Sequence, residues 1–344
     1  MIKRILIVGS DEQWSLERVY IRHLQEKGID TLHFPAQSIF YKYYYKSIIN
    51  KLLFKTGLSD IFKKISTELL QKAAQFKPDL IWMFKGMEIE PQTLKQLRDQ
   101  GYFLVNYNPD NPFHFSGTGS GNKNITASIG IYNLHFSYDR GIRDRIVKEY
   151  KVPCEILPFG FELSEELYKE SARQEESLKL CFLGNPDKER VQFIERLAER
   201  LPVDVYGNDW DKKTNHPNIK CFGPVYQDGF WKTLYRYRVQ LNLMRPHNPA
   251  SHNMRSFEIP GVGGIGLYPD TPDHRDYWKE KDIIFLYKSV DDCIEKANYL
   301  LNLSKEDALK IRNHARTHSI KEGHSYAQRA QQVLNIFNRY IQSN

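Results

Sequence analysis

The run His252-Asn253-Met254-Arg255-Ser256-Phe257-Glu258-Ile259-Pro260-Gly261-Val262-Gly263-Gly264-Ile265-Gly266-Leu267-Tyr268 is the part of the chain richest in groups that do chemistry. Polar residues lead into a carboxylate, then a glycine-rich turn, then a short apolar strand. The glycines let a backbone turn tightly and approach a ligand with no Cβ in the way. A helix N-terminus beside such a turn offers free N–H groups and a partial positive charge to a phosphate. Glu258 is suited to accept hydrogen bonds from ribose hydroxyls. These parts fit a sugar nucleotide. The same pattern fits a helix that stops at glycine and feeds a buried strand, and the run alone leaves both readings open.

Two further places carry candidates. Gly184 ends the apolar run Leu178–Leu183, and Lys188 and Arg190 stand just beyond it. They are placed either to neutralise a diphosphate or as ordinary first-turn helix charge. Asn108-Pro109-Asp110-Asn111-Pro112-Phe113-His114-Phe115 follows another apolar strand. Loops after the carboxyl ends of parallel strands line the ligand crevice, so Asp110 and His114 are candidates for a general base or a sugar-hydroxyl acceptor. Turn chemistry between two prolines is the plainer account of Asp110. The glycines of Ser116–Asn122 suggest a phosphate cradle, but the segment lacks the Lys-Ser/Thr ending of a P-loop and reads as a surface loop. His314, His318 and His324 have no carboxylate spacing that supports a metal and read as packing and surface residues. The scattered Cys154, Cys181, Cys221 and Cys293 have no paired spacing and imply a reducing cytoplasm.

The elements that must position these groups form a repeat. The 344 residues suffice for two ordinary domains. Apolar and charged fractions of 41% and 26% exclude wholesale disorder. No apolar run reaches the roughly 18 to 20 residues that span a bilayer. The opening is too quickly polar for a signal peptide. Lys3–Gly9 instead reads as a buried strand, Glu12–Lys27 as a helix and Asp30–Pro35 as a second strand, the start of a doubly wound sheet. A nicotinamide site would want Gly-x-Gly-x-x-Gly after the first strand; only Gly9 is present, which argues against a dehydrogenase. Further strands are expected at 80–86, 102–107 and 134–138. Leu178–Asn185 then repeats the plan of residues 3–10, with a helix from Lys188 to Arg200 and strands near 203–207, 219–223, 240–243 and 283–286. Two doubly wound halves in tandem, gripping a ligand between them, are the expectation. A helix over 291–303 and a long amphipathic stretch over 305–341, broken around Gly323, close the chain.

One segment stands apart. Residues 39–64 are rich in lysine, tyrosine and large aliphatics, with Lys42/Lys46 and Lys51/Lys55 each four apart. A basic, aromatic-rich amphipathic helix of this kind either lies on anionic lipid headgroups or is an ordinary solvated helix. The net charge of +7 favours anions in general. No nucleic-acid module is recognisable, so no nucleic acid is expected as partner.

The second half resembles the glycosyltransferase-like family that includes the CgeB-like proteins, related to the group 1 glycosyltransferases of the GT-B fold. The residues that carry the resemblance are Phe182-Leu183-Gly184 with Arg190, Leu241-Asn242-Leu243, Arg255-Ser256-Phe257-Glu258-Ile259-Pro260 with its glycines, and Gly323-His324-Ser325-Tyr326 with Arg329. In order they cover roughly residues 178–335. The resemblance implies an α/β GT-B fold of two Rossmann-like domains facing across a cleft. An acceptor domain would occupy 1–160, a donor domain 161–324, and a helix over 325–344 would cross back to the first domain. It implies a hexosyl transfer from a UDP-, GDP- or dTDP-sugar to a glycan, lipid-linked or small-molecule acceptor, as in bacterial cell-surface glycan synthesis. No bound cofactor or metal is implied, and the setting is the cytoplasm or the inner face of the membrane. Related transferases carry two glutamates separated by seven residues. Glu258 matches the second, which contacts the nucleotide ribose; the first falls at Ala250, so His252 or Asn253 is expected to take over donor contacts. Lys188 and Arg190 match residues facing the diphosphate, and Gly261, Gly263 and Gly264 are expected near the phosphates. A nucleotide-sugar epimerase and a non-catalytic nucleotide- or glycan-binding protein are the alternatives on the same fold.

Overall fold

The computed structural model describes residues 2–115, 120–245, 250–278 and 283–342. Ser116–Gly119 of the suspected phosphate loop lie outside the described residues. The chain divides into two compact units, Met1–Pro158 with Tyr326–Asn344, and Phe159–Ser325.

The first unit begins β1 (Arg4–Val8), α1 (Leu16–Glu26), β2 (Asp30–Phe34). Three helices follow, α2 (Ala36–Tyr44), α3 (Ile48–Lys55) and α4 (Ile61–Phe76). Then come β3 (Leu80–Phe84), α5 (Pro91–Asp99), β4 (Phe103–Asn108) and α6 (Lys123–Ser128). The unit's sheet is completed by β5 (Leu134–Ser137), α7 (Arg140–Arg145) and β6 (Cys154–Ile156). Among the described residues its strands form a six-stranded sheet in the order β2-β1-β3-β4-β5-β6, every pairing parallel. Helices cover both faces, which is why every residue of β3 is apolar and buried.

The second unit runs α8 (Glu165–Ala172), β7 (Ser177–Leu183), α9 (Lys188–Ala198), β8 (Val203–Tyr206) and β9 (Ile219–Phe222). It continues α10 (Gln227–Arg236), β10 (Tyr237–Leu241), α11 (Arg255–Gly261), β11 (Gly266–Pro269) and α12 (Pro272–Tyr277). It ends with β12 (Phe285–Tyr287), α13 (Val290–Leu301) and α14 (Lys305–Lys321). Its sheet is again parallel, in the order β12-β11-β10-β7-β8-β9. The final helix, α15 (Tyr326–Gln342), returns to the first unit. Its buried stripe of Tyr326, Ala330, Val333, Leu334 and Phe337 has helical spacing. Phe337 packs edge-on to Trp82 at 5.2 Å and Tyr326 to Tyr20 at 5.7 Å.

Three features absent from the sequence reading have local causes. The 39–64 run is three helices rather than one, because Ser47 turns extended and its hydroxyl accepts the Asn50 N–H, capping α3. A helix starts beyond the glycine loop, where the Asn122 side chain accepts the Asn124 N–H and caps α6. The charged stretch 162–177 contains α8, capped by Ser164.

Both sheets share one topological feature. In each, the first strand pairs on one side with the next strand in sequence and on the other with a strand reached after the winding direction reverses. The reversals lie between β1 and β3 and between β7 and β10. Connections leave such a pair of strands in opposite directions, so a crevice opens at their carboxyl ends.

Candidate functional site

In the second unit the β7/β10 crevice is walled by the loop 184–187 and by residues 242–245 and 250–254. Three interactions hold the Gly184 loop. The Trp210 indole N–H donates to the Gly184 carbonyl at 2.8 Å, the Gly184 N–H donates to the Tyr206 carbonyl at 2.9 Å, and the Asn208 N–H donates to Asn185 Oδ1 at 3.0 Å. Gly207 stands with φ +157 where a Cβ would lie 2.5 Å from the Gly184 carbonyl oxygen, so no larger residue fits that packing. Asp187 caps α9 by accepting the Arg190 N–H at 3.0 Å, which aims the helix N-terminus at the crevice.

Arg190 then reaches across the crevice. One terminal nitrogen donates to the Asn185 carbonyl at 3.1 Å, the other to the Leu243 carbonyl beyond β10 at 2.9 Å, and Nε lies 3.4 Å from Asp187. Its side chain is only 10% exposed. Burial pushes its pKa down to about 10; Asp187 opposes the shift, and the cations Arg245 and Arg255 add to it. Arg190 thus stays charged at neutral pH, beside two other guanidiniums and the Asp187 carboxylate. Lys188 is exposed in the same first turn.

Arg255, at the start of α11, donates from Nε to the Leu183 carbonyl at 3.2 Å, ion-pairs with Glu258 and stacks over Phe230 at 4.3 Å. Glu258 is buried on the same turn. The start of α11 is fixed by reciprocal bonds: Asn253 Oδ1 accepts the Ser256 N–H, and Ser256 Oγ accepts the Asn253 N–H, both at 3.1 Å. Asn253 Nδ2 donates to Asn242 Oδ1 at 2.7 Å, tying the helix to the end of β10. His274 Nδ1 donates to the Pro269 carbonyl, so its Nε2 accepts the Ser256 hydroxyl at 2.7 Å. Burial holds His274 down at about 4, so the neutral ring this arrangement needs is present at pH 7. Trp210, Gly207 and His274 were not singled out from sequence. Nothing local marks them, since each acts across strands adjacent only in the folded sheet.

Two expectations are corrected. His252 is fully buried, its Nδ1 donating to Asp273 at 2.7 Å and its ring packed edge-on against Phe159, Phe257 and Tyr277. It braces the 250–254 segment from inside rather than presenting itself to a ligand. Gly261, Gly263 and Gly264 lie at the opposite edge of the sheet from the crevice. They close the carboxyl end of α11 and feed the start of β11, with the Gly264 N–H donating to the Ile259 carbonyl at 2.7 Å. Gly263, at φ +75, turns its carbonyl to Arg312, which also holds the Tyr237 carbonyl at the start of β10 and Glu176 ahead of β7. The helix N-terminus that opens onto the crevice in this unit is that of α9.

In the first unit the β1/β3 crevice holds a second set of titratable groups. Lys85 and Gly86, directly after β3, both have positive φ. Lys85 ion-pairs with Asp110 at 2.6 Å, linking the loops after β3 and β4. The Asp110 N–H bonds to Asn108 Oδ1 at 3.0 Å, the turn chemistry anticipated for it, and His114 is exposed further along the loop. Glu88 is 5% exposed, and burial raises its pKa to about 7 against the pull of Lys85. Glu17 accepts the Ser10 N–H at 2.7 Å, and burial raises it too. Glu17, Lys85 and Glu88 escaped sequence reasoning; Lys85-Gly86 at a strand end was the available signal. Among the described residues no group of three or more His, Cys, Asp and Glu is placed to hold a metal ion. His318 and His324 pack against Trp278.

Two parallel-sheet units, each with its crevice at the carboxyl ends of a central strand pair, define the GT-B architecture. Residues 188–335 match a family model described as glycosyl transferase-like. Among solved structures the chain is similar to a glycosyltransferase from Rickettsia africae, at 10% identity over the whole of both chains with a TM-score of 0.66. It is also similar to sucrose-phosphate synthase from Thermosynechococcus elongatus, at 9% identity over 99% of this chain and 100% of that one, TM-score 0.68. HepE of Anabaena in complex with UDP-glucose aligns over 98% of this chain and 99% of that one, at 12% identity and TM-score 0.61. At such identities the likeness is one of fold. A search of curated proteins found no match.

Proposed function

We propose that the protein is a glycosyltransferase of a CgeB-like branch, moving a hexosyl group from a nucleotide sugar to a glycan, lipid-linked or small-molecule acceptor in the cytoplasm. One observation carries the reading: the β7/β10 crevice is built around a buried guanidinium, Arg190, with Arg245 and Arg255 beside it. Mutually repelling cations at the mouth of a parallel sheet are stabilised by an anion of more than one charge, such as a nucleoside diphosphate. The glycosyl transferase-like match over 188–335 supports the same ligand class, as does the UDP-glucose bound to HepE.

In the transfer, an acceptor oxygen bonds to the anomeric carbon while the bond from that carbon to the diphosphate oxygen breaks. The hydroxyl proton passes to a base, and negative charge develops on the leaving diphosphate. Arg190, Arg245 and the N–H groups at the start of α9 are the donors that stabilise that charge, each worth on the order of 3 kcal/mol when well placed. Side-chain cations fill the role a metal has elsewhere, so transfer is expected to be metal-independent. Lys188 adds long-range attraction. Glu258, held by Arg255, is the acceptor for ribose hydroxyls, and Asn253 fixes the loop beside it. Gly184 gives the backbone close approach to the donor. On the acceptor side, Asp110 and His114 on the loop after β4 and Glu88 beyond β3 are candidates to receive the hydroxyl proton; a carboxyl titrating near 7 is suited to that task.

Thermal-shift screening of UDP, GDP, dTDP, ADP and CMP and their sugar conjugates tests the donor site. A ligand at 100 times its Kd adds about 2.7 kcal/mol of stability. One nucleotide family is expected to stabilise the protein, and Glu258→Ala to lose that effect. Binding without turnover on any acceptor would favour a non-catalytic binding protein. Conversion of the donor sugar with no acceptor present would favour an epimerase. No binding at millimolar concentration would refute the donor site.

A further inference from the structure

Helices α2 and α3 form a hairpin whose inner side is firmly anchored. Phe40, Phe54 and Phe62 meet one another at ring distances of 4.8 to 5.6 Å, and with Ile39 and Tyr43 they pack on the core of the first unit. Asn50 Nδ2 donates to the Tyr43 carbonyl at 2.7 Å and locks the two helices together. The outer side is the reverse of what a solvated face should be. Ile48 is 83% exposed, Ile49 68%, Leu52 61% and Leu58 75%, with Tyr45 exposed beside them. Single exposed apolar residues are ordinary, but several together on a rigid hairpin are not.

The charge along the hairpin segment itself is of one sign. Between Ala36 and Ser59 the chain has Lys42, Lys46, Lys51 and Lys55 and no acidic residue. Lys51 lies over the Tyr45 ring at 5.0 Å. An apolar face on a segment whose only charges are lysines matches an anionic bilayer, where aliphatic side chains enter the acyl boundary and ammonium groups meet headgroup phosphates. A second copy of the same chain fits worse, because a symmetric contact sets the same patch against itself and brings lysine to lysine. We propose that the α2–α3 hairpin is a docking surface for an anionic lipid membrane. Among the described residues no helix is long and apolar enough to cross a membrane, so the contact is peripheral.

Co-sedimentation of the full chain with vesicles of phosphatidylcholine alone, or mixed with phosphatidylglycerol, tests this. Binding is expected to the mixed vesicles only and to weaken with added salt. Ile48→Ser/Ile49→Ser is expected to weaken it roughly tenfold or more. Replacing the four lysines by glutamine should cost about fivefold for each lysine that meets the surface. Circular dichroism and nucleotide-induced thermal shift, which read folding and the second unit, should be unchanged in both variants. Vesicle binding is read separately from nucleotide binding, so either property can fail alone. No binding to the mixed vesicles, or binding that survives both variants, overturns the proposal. A concentration-dependent dimer abolished by the serine variant, with no vesicle binding, would make the face a contact between copies instead.

Discussion

Replacing Arg190 by methionine tests the donor site most directly. Methionine keeps most of the apolar stem and removes the charge, the guanidinium over the Phe182 ring and both terminal donors. The side chain's bonds to the Asn185 and Leu243 carbonyls contribute about 1 kcal/mol each, net. Removing a largely buried cation recovers part of that loss, so stability should fall by about 2 kcal/mol at most and the protein should still fold. The effect on a diphosphate is larger. A hydrogen bond to a charged group is worth about 1.5–3 kcal/mol, which converts to about ten- to 150-fold in Kd. The assay is calorimetric titration with the nucleoside diphosphate that gives the largest thermal shift and, in parallel, with its parent nucleoside. Arg190→Met should weaken the diphosphate by that factor, leave the nucleoside unchanged and flatten the salt dependence of diphosphate binding. Equal loss for both ligands would mean that the Gly184 loop had collapsed. Undiminished diphosphate binding by a folded variant would refute the assignment of Arg190 to the phosphates.

Gly263→Ala should destabilise the protein by about 1–2 kcal/mol, because φ is +75 and the new Cβ would lie 3.0 Å from the Arg312 carbonyl oxygen. Nucleotide affinity should not change, since the turn lies at the far edge of the sheet; urea unfolding and titration of one variant check both. Trp210→Phe removes the donor to the Gly184 carbonyl, with about 1 kcal/mol lost in urea unfolding and weaker nucleotide binding, since that bond holds the Gly184 loop. Glu88 gives a pH signature. Its folded pKa of about 7 lies above its ordinary 4.5, so the folded protein holds the proton more tightly than the unfolded chain. Its contribution to stability is therefore fully present below about 4.5 and is lost as pH rises to about 7, by about 3 kcal/mol at roughly 1.4 kcal/mol per pH unit. Glu88→Gln should remove most of that slope in urea unfolding across this range. Glu17, raised for the same reason, leaves a slope of the same sign.

The sequence by itself determined the repeated plan. Strands buried on both faces must read as apolar runs, and Lys3–Gly9 and Leu178–Asn185 each read so and end in glycine and a small polar residue, which is why the α/β class was legible. It also marked Gly184, Arg190, Arg255 and Glu258 as groups of interest, because they are dense in local chemistry. It did not show which edge of the sheet a turn occupies. Gly261, Gly263 and Gly264 have the composition of a phosphate loop, yet strand direction places them behind the site. His252 looks like a ligand contact on paper and is a buried brace, because Asp273, distant in sequence, comes to meet it. Glu88 is an unremarked glutamate until packing strips its water and moves its titration to neutral pH. Strand order, direction and burial come from contacts between residues far apart in the chain, so only the tertiary structure decided where each candidate group faces and what charge it carries.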